Sequence, residues 1–183
     1  MNFGGSFSLS GLGTYVRQSG TAGTVNLTGT LTIPAGSTLV LDRSSTNYGT
    51  WTLSGGTVSG GSVATGNGAQ LQMSTGTLNG TSFATGADVI TTANAVVSVS
   101  GGLTVDGILT LGTSNGYVQG LFFNGTQILA GTGEIVSNGN QGLWLNLFSA
   151  TLRRVEIRLC ANCQSRQISR DESDDMVRKP NRC

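Results

Sequence analysis

The segment Gly56–Gly66 reads GTVSGGSVATG, and Gly76–Gly86, further along the chain, reads GTLNGTSFATG. Seven of the eleven positions are identical. The differences at Val58/Leu78 and Val63/Phe83 exchange one apolar residue for another. A unit this small cannot bury its own apolar side chains, so a chain that reuses it must stack the copies. Looser copies begin at Gly29 (TGTLTI), Gly102 (GGLTVDGILTLG) and Gly125 (NGTQIL). Taken with Gly56 and Gly76, they recur at intervals of about 20–27 residues, the range of a solenoid coil.

Within the units, apolar residues fall on alternate positions. Leu31-Thr32-Ile33, Leu71-Gln72-Met73, Val97-Ser98-Val99, Leu103-Thr104-Val105 and Leu109-Thr110-Leu111 are of this kind. Period-two alternation in Val, Leu, Ile and Thr predicts half-buried strands. Between them stand turn signals such as Asn67-Gly68, Asn79-Gly80, Asn115-Gly116 and Asn138-Gly139. Up to Ala150 no segment carries a helical apolar stripe. The prediction is an all-β solenoid, a right-handed parallel β-helix with coils of about 20–27 residues. Val58, Val63, Leu78, Phe83, Leu103, Val105, Leu109 and Leu111 are the expected inward column. Gly29, Gly56, Gly66, Gly76, Gly86, Gly102 and Gly125 are the expected corners, where glycine takes positive φ without strain. An antiparallel sandwich also uses short strands and Gly-rich turns. It commonly guards its edges with charge, which this region lacks, and it does not require a near-identity at a fixed offset.

Composition divides the chain. All 29 glycines lie at or before Gly142, and positions 1–150 carry only six charged side chains, a net charge of −2. Positions 151–183 carry thirteen, a net charge of +3, together with Cys160, Cys163 and Cys183. The boundaries read as a solenoid region, 1–147, and a charged Cys-containing tail, 148–183. The tail is expected to be disordered or the product of a shifted reading frame, since Gly, charge and Cys all change at one place. Translating the other two frames decides between them: the frameshift requires one of them to continue the Gly/Thr/Val repeat. Cys160-Ala161-Asn162-Cys163 has C-x-x-C spacing, but three Cys and no His do not complete a zinc site.

The run GTWTLSGGTVSGGSVATGNGAQLQ, with STGTLNGTSFATGADV, GGLTVDGILTLG and LFFNGTQILAGTGEIV, resembles the repeats of large bacterial surface and secreted proteins. These are the autotransporter-passenger and filamentous-haemagglutinin-like proteins. The resemblance covers roughly Thr21–Gly142. It implies a right-handed parallel β-helix that serves as a stalk, adhesin or spacer at the cell surface or outside the cell. No signal peptide, amino-terminal secretion motif or membrane barrel is recognisable, so the chain reads as a piece of a longer array.

Chemistry is sparse. No His is present, which removes the commonest general base and metal ligand. Glycoside hydrolysis needs two nearby carboxylates, and Asp42, Asp88, Asp106 and Glu134 sit in different repeats with no recurring offset. Asp42-Arg43 is the one acid–base neighbour pair among them, and it reads as a solvated corner. Gly101-Gly102-Leu103-Thr104-Val105-Asp106 approaches a calcium-binding nonapeptide but does not recur. Gly55-Gly56 and Gly131-Thr132-Gly133 lack the following Lys of a phosphate loop. Asn26-Leu27-Thr28, Asn79-Gly80-Thr81 and Asn124-Gly125-Thr126 match the glycosylation pattern, as chance produces in a Thr/Asn-rich chain. Among the aromatics, Trp51 shares its parity with Leu53 and should point inward. Thr-x-Thr pairs at Thr28/Thr30, Thr30/Thr32, Thr50/Thr52 and Thr75/Thr77 are irregularly spaced, and no face is expected to be uniformly Thr. Plain β-propensity accounts for them better than an ice-binding face.

The expected function is a non-catalytic structural or adhesive segment of a bacterial surface or secreted repeat protein. The alternatives are a polysaccharide-acting β-helix lyase or glycosidase, and a Thr-rich ice- or surface-binding solenoid. No cofactor or metal site is expected. The expected partners are neighbouring repeats, a second chain at an open solenoid end, or surface glycans, and not nucleic acid or a membrane interior.

Overall fold

A computed structural model describes residues 1–13, 24–44, 48–112 and 119–137, and the strand backbone of 143–146, 150–153 and 156–159. Gln119 is described by its backbone alone. The described chain is a parallel β-solenoid, nearly all strand. Its strands are β1 Asn2–Phe3, β2 Ser6–Ser8, β3 Val25–Leu27, β4 Thr30–Thr32, β5 Thr38–Asp42, β6 Trp51–Ser59, β7 Ser62–Gly66, β8 Leu71–Phe83 and β9 Asp88–Val105. There follow β10 Ile108–Leu111, β11 Gln119–Phe123, β12 Gln127–Ala130, β13 Glu134–Ser137, β14 Leu143–Asn146, β15 Ala150–Arg153 and β16 Glu156–Leu159.

The pairings resolve into three faces. Face one stacks β1, β3, β6, β8, β9, β10, β13 and β16 in that order. Eight rungs at about 4.8 Å span roughly 34 Å. Face two stacks β2, β4, the second half of β6, the middle of β8 and β9, then β11 and β14. Face three stacks β5, β7, the ends of β8 and β9, then β12 and β15. Strands β8 and β9 pass round all three faces.

Alternation along each strand becomes a column across the strands. On face one the register aligns Val25, Trp51, Leu71, Val89, Leu109, Ile135 and Ile157. On face two it aligns Phe7, Leu31, Val58, Leu78, Val99 and Phe123. The eight predicted inward residues, Val58, Val63, Leu78, Phe83, Leu103, Val105, Leu109 and Leu111, are all buried. Trp51 is also fully buried, against Phe3 and Tyr48, and its indole N–H donates to the Tyr48 carbonyl at 3.2 Å. Burying a side chain of Val, Leu or Phe size contributes about 1.5–3 kcal/mol, so these columns hold the coils together.

The offset between the near-identical segments is the strand register itself: Thr57 lies beside Thr77, Val58 beside Leu78, Ser62 beside Ser82 and Val63 beside Phe83. Elsewhere the offset varies. Thr30 lies beside Thr57, a longer step, and Leu71 lies beside Val89, a step shorter than the expected coil.

The predicted corners are not one structural position. Gly29, Gly56 and Gly76 stack at the edge between faces one and two. Gly102 and Gly125 lie between faces two and three, and Gly66 and Gly86 between faces three and one. The reason lies in β9. Met73 pairs with Thr91 but Thr75 with Val96, so β9 inserts three extra residues there. The wider corner passes through Asn94 at φ 57 and needs no glycine, and Val97 takes the place beside Gly76.

Positive φ explains four of the seven predicted corners, Gly76, Gly86, Gly102 and Gly125, and not the other three. At Gly66, outside the left-handed region, a Cβ would stand 2.9 Å from the Asp42 carboxylate. Gly29 and Gly56 also lie outside that region. What they require is space: a Cβ on Gly56 would stand 2.4 Å from the Gly29 carbonyl oxygen, and one on Gly29 would stand 2.1 Å from the Gly5 oxygen.

Strand pairing runs past the expected boundary at 147/148. Strand β15 pairs with β12, and β16 with β13. Residues 160–183, with all three Cys and the C-x-x-C, lie outside the described residues, as do Arg17, Asn115-Gly116 and Asn138-Gly139.

Candidate functional site

Two surfaces gather polar side chains: the outer side of face two and the edge between faces three and one. On face two, each inward residue of the Phe7-to-Val99 column is flanked by outward hydroxyl or amide residues. The rungs read Ser6-Phe7-Ser8, Thr30-Leu31-Thr32, Thr57-Val58-Ser59, Thr77-Leu78-Asn79 and Ser98-Val99-Ser100. The register sets Ser6, Thr30, Thr57, Thr77 and Ser98 in one outward column. It sets Ser8, Thr32, Ser59, Asn79 and Ser100 in a second. Neighbours lie about 4.8 Å apart between rungs and about 6.6–6.8 Å apart along a strand. The second column is partly knitted: Asn79 Nδ2 donates to Ser59 Oγ at 3.3 Å, and Ser100 Oγ donates to Asn79 Oδ1 at 3.2 Å. No charged residue and no outward aromatic interrupts these five rungs. The next rung brings Phe122, half-buried, beside Ser98.

The Thr-x-Thr pairs pointed to only part of this surface. Thr30/Thr32 lie on it and Thr50/Thr52 lead into face one, while Thr28/Thr30 and Thr75/Thr77 straddle the edge between faces one and two. No face is uniformly Thr. Instead, Ser and Asn complete the columns that Thr begins, and unequal coil lengths hide the alignment from one-dimensional spacing. The usable signal was an apolar residue between two hydroxyl or amide residues, once per coil.

The edge between faces three and one collects Asp42, Arg43, Asp88, Asp106 and Glu134. These acids have no recurring offset along the chain, yet the fold lines them along one edge. Three of them tie adjacent coils. Asp42 accepts both contacts from Asn67 Nδ2, at 3.0 and 2.8 Å, and accepts from the Ser44 N–H at 2.6 Å. The Asn67 amide, then the Ser44 N–H, hold its carboxyl below the ordinary aspartate range. Asp88 accepts from Gln70 Nε2 at 2.8 Å. Asp106 accepts from the Thr132 N–H at 2.9 Å and from its hydroxyl at 3.1 Å. Asp88 and Glu134 flank Ile108 in register, two rungs apart. Among the described residues, no three of His, Cys, Asp and Glu form a group that could hold a metal ion. Arg43 reaches Thr50 Oγ1 at 3.4 Å.

A shallow depression of about 410 Å³ lies on a different edge, between faces two and three, lined by Gly101, Gly102, Asn124, Gly125, Thr126, Gln127 and Ile128. It contains no ionisable side chain. The buried Gln127 amide donates to the Val99 carbonyl at 2.8 Å and to the Asn124 carbonyl, and its Oε1 accepts from the Gly102 N–H at 3.0 Å. The glutamine thus satisfies the backbone of this corner. Among the described residues, no helix is long and apolar enough to cross a membrane.

No family model matches the chain, and no curated protein or solved structure shows significant similarity to it.

Proposed function

We propose that this chain is a non-catalytic structural and adhesive segment of a bacterial surface or secreted repeat protein, and that face two is its contact surface. The carrying observation is the pair of outward hydroxyl and amide columns, continuous over five rungs and free of charge. Hydroxyls both donate and accept, so such a surface suits neutral, hydroxyl-rich partners such as surface glycans better than charged ones. The placement of the acids points the same way. Asp42, Asp88 and Asp106 are engaged in holding coils together, and none of the four acids lines the depression between faces two and three. The resemblance of the repeats to autotransporter-passenger and filamentous-haemagglutinin-like proteins supports the extracellular setting.

The test is retention of the purified full chain on microcrystalline cellulose and chitin, compared with anionic and cationic beads. The expected result is salt-insensitive retention on the neutral particles. The double substitution Thr57→Arg/Thr77→Arg should abolish it, while Thr52→Arg on face one should not. Preference for either charged bead overturns the reading. So does turnover of a polyuronate or glycan that is lost in Asp88→Asn/Asp106→Asn.

A further inference from the structure

The partner of face two can be narrowed by its geometry, on the reading that face two is the contact surface. We infer that the two outward columns bind crystalline water, the surface of ice. Three features carry the inference. First, the array is two-dimensional and regular. Parallel strands in register repeat the same outward position at about 4.8 Å, close to the oxygen repeat along the basal axes of ice, over roughly 19 Å from the Ser6 rung to the Ser98 rung. Second, the side-chain hydroxyls of Ser6, Thr30, Thr57, Thr77 and Ser98 make no hydrogen bond to other described residues, so they are available to water as donors and acceptors. The partly knitted Ser59–Asn79–Ser100 column beside them fixes the spacing across the array. Third, the face is rigid and neutral. From the Thr30 rung to the Ser98 rung its backbone is paired on both sides, and the β-branched Thr side chains have few rotamers. A charge on the face would orient water around itself and interrupt a lattice.

Among neutral, hydroxyl-rich surfaces, these features favour an extended lattice over a single sugar chain. Sugar rings are commonly held by aromatic faces, and these five rungs present none outward. Each hydroxyl–water contact is weak. A crystal engages all of them at once, so affinity comes from the number of contacts in register.

The experiment is partition of the full chain into slowly grown polycrystalline ice, read beside inhibition of ice recrystallisation. The wild-type chain should be enriched in the ice over a soluble protein of similar size. Thr57→Tyr/Thr77→Tyr, which raises two rungs out of the plane, should lose about tenfold of that enrichment. Thr52→Tyr on face one should keep it. Circular dichroism melts identify any variant that has unfolded. In that case Thr30→Lys, one rung in from the end of the ladder, replaces it and should show the same loss. Exclusion of the wild-type chain from ice, or full enrichment of the face-two variants, overturns the inference. A chain that holds cellulose or chitin through face two yet is excluded from ice overturns the ice assignment alone. A chain that holds none of these surfaces overturns the contact-face reading as well.

Discussion

In the early coils the edge between faces one and two and the edge between faces three and one turn the chain by opposite means. At the first, Gly29, Gly56 and Gly76 bring successive coils into backbone contact, with no room for a Cβ on any of them. At the second, the connections after Asp42, Gly66 and Phe83 are longer, and Asp42, Asp88 and Asp106 join coils through side-chain hydrogen bonds. Further along the stack this edge tightens as well, and a Cβ on Gly107, Gly131 or Gly133 would collide with the backbone of the preceding coil. Close contact dictates residue type, whereas a wider turn tolerates several. The comparison also explains where charge goes. On a parallel face, an outward charge repeated once per coil would stand directly beside its own copy, and like charges directly opposite are destabilising. At a turn, side chains can splay and receive hydrogen bonds from neighbouring coils. Before Ala150 the faces are accordingly neutral and the four acids sit on an edge; the strands after it, β15 and β16, carry Arg153, Glu156 and Arg158.

The largest expected effect breaks the tight edge. Gly56→Val places a Cβ 2.4 Å from the Gly29 oxygen and 2.7 Å from the Leu27 oxygen, and both obstacles are backbone. We expect a loss of about 3 kcal/mol or more, read by urea denaturation. Gly86→Ala is the matched substitution at the wide edge. That position has φ +77 but open space, so the cost should be the backbone term alone, about 1–2 kcal/mol. Equal losses at the two sites would remove the distinction between edges.

Moving charge from edge to face is the next test. Thr57→Asp/Thr77→Asp sets two carboxylates on adjacent rungs. The expected cost is about 1 kcal/mol at neutral pH, and most of it should vanish once both groups are protonated. A variant as stable as the parent at both pH values would show that the neutral faces are not an electrostatic requirement.

The smallest effect is at Asp42. Its carboxyl is held below the ordinary value first by Asn67 and then by the Ser44 N–H. A depressed folded-state pKa contributes stability above the unfolded value and loses it as pH falls through the folded one. The melting-temperature advantage over Asp42→Asn should therefore be present at neutral pH and fade as pH falls from about 5 toward 2. Asn67→Ala should raise the Asp42 pKa in an NMR titration. No movement there would remove the coil-tying role of this edge.

Much of the fold was legible because inward positions obey a local rule. Trp51 and Leu53, or Leu103 and Val105, declare their side of the sheet by parity alone, and the near-identical repeat carries the register of β6, β7 and β8. The corners were less legible. Gly76 and Gly102 look like copies of one element, but they turn different edges, because the insertion in β9 changes which corner requires a glycine. The hydroxyl surface was the least legible. Its members are Ser, Thr and Asn by turns, and the steps from Ser6 to Thr30, Thr57, Thr77 and Ser98 are all unequal, so no single spacing reveals them.

The sequence by itself determined that the chain is a stack of β coils, which residues face the interior, and that charge is scarce before Thr151. These follow from alternation and repetition, which are properties of neighbours along the chain. Only the tertiary structure decided that five unlike triplets share one outer face and that four scattered acids share one edge. Those placements depend on how each turn takes up its length. The three extra residues in β9 are absorbed at one corner and the register resumes after it, so spacing along the chain does not reveal which residues share a face.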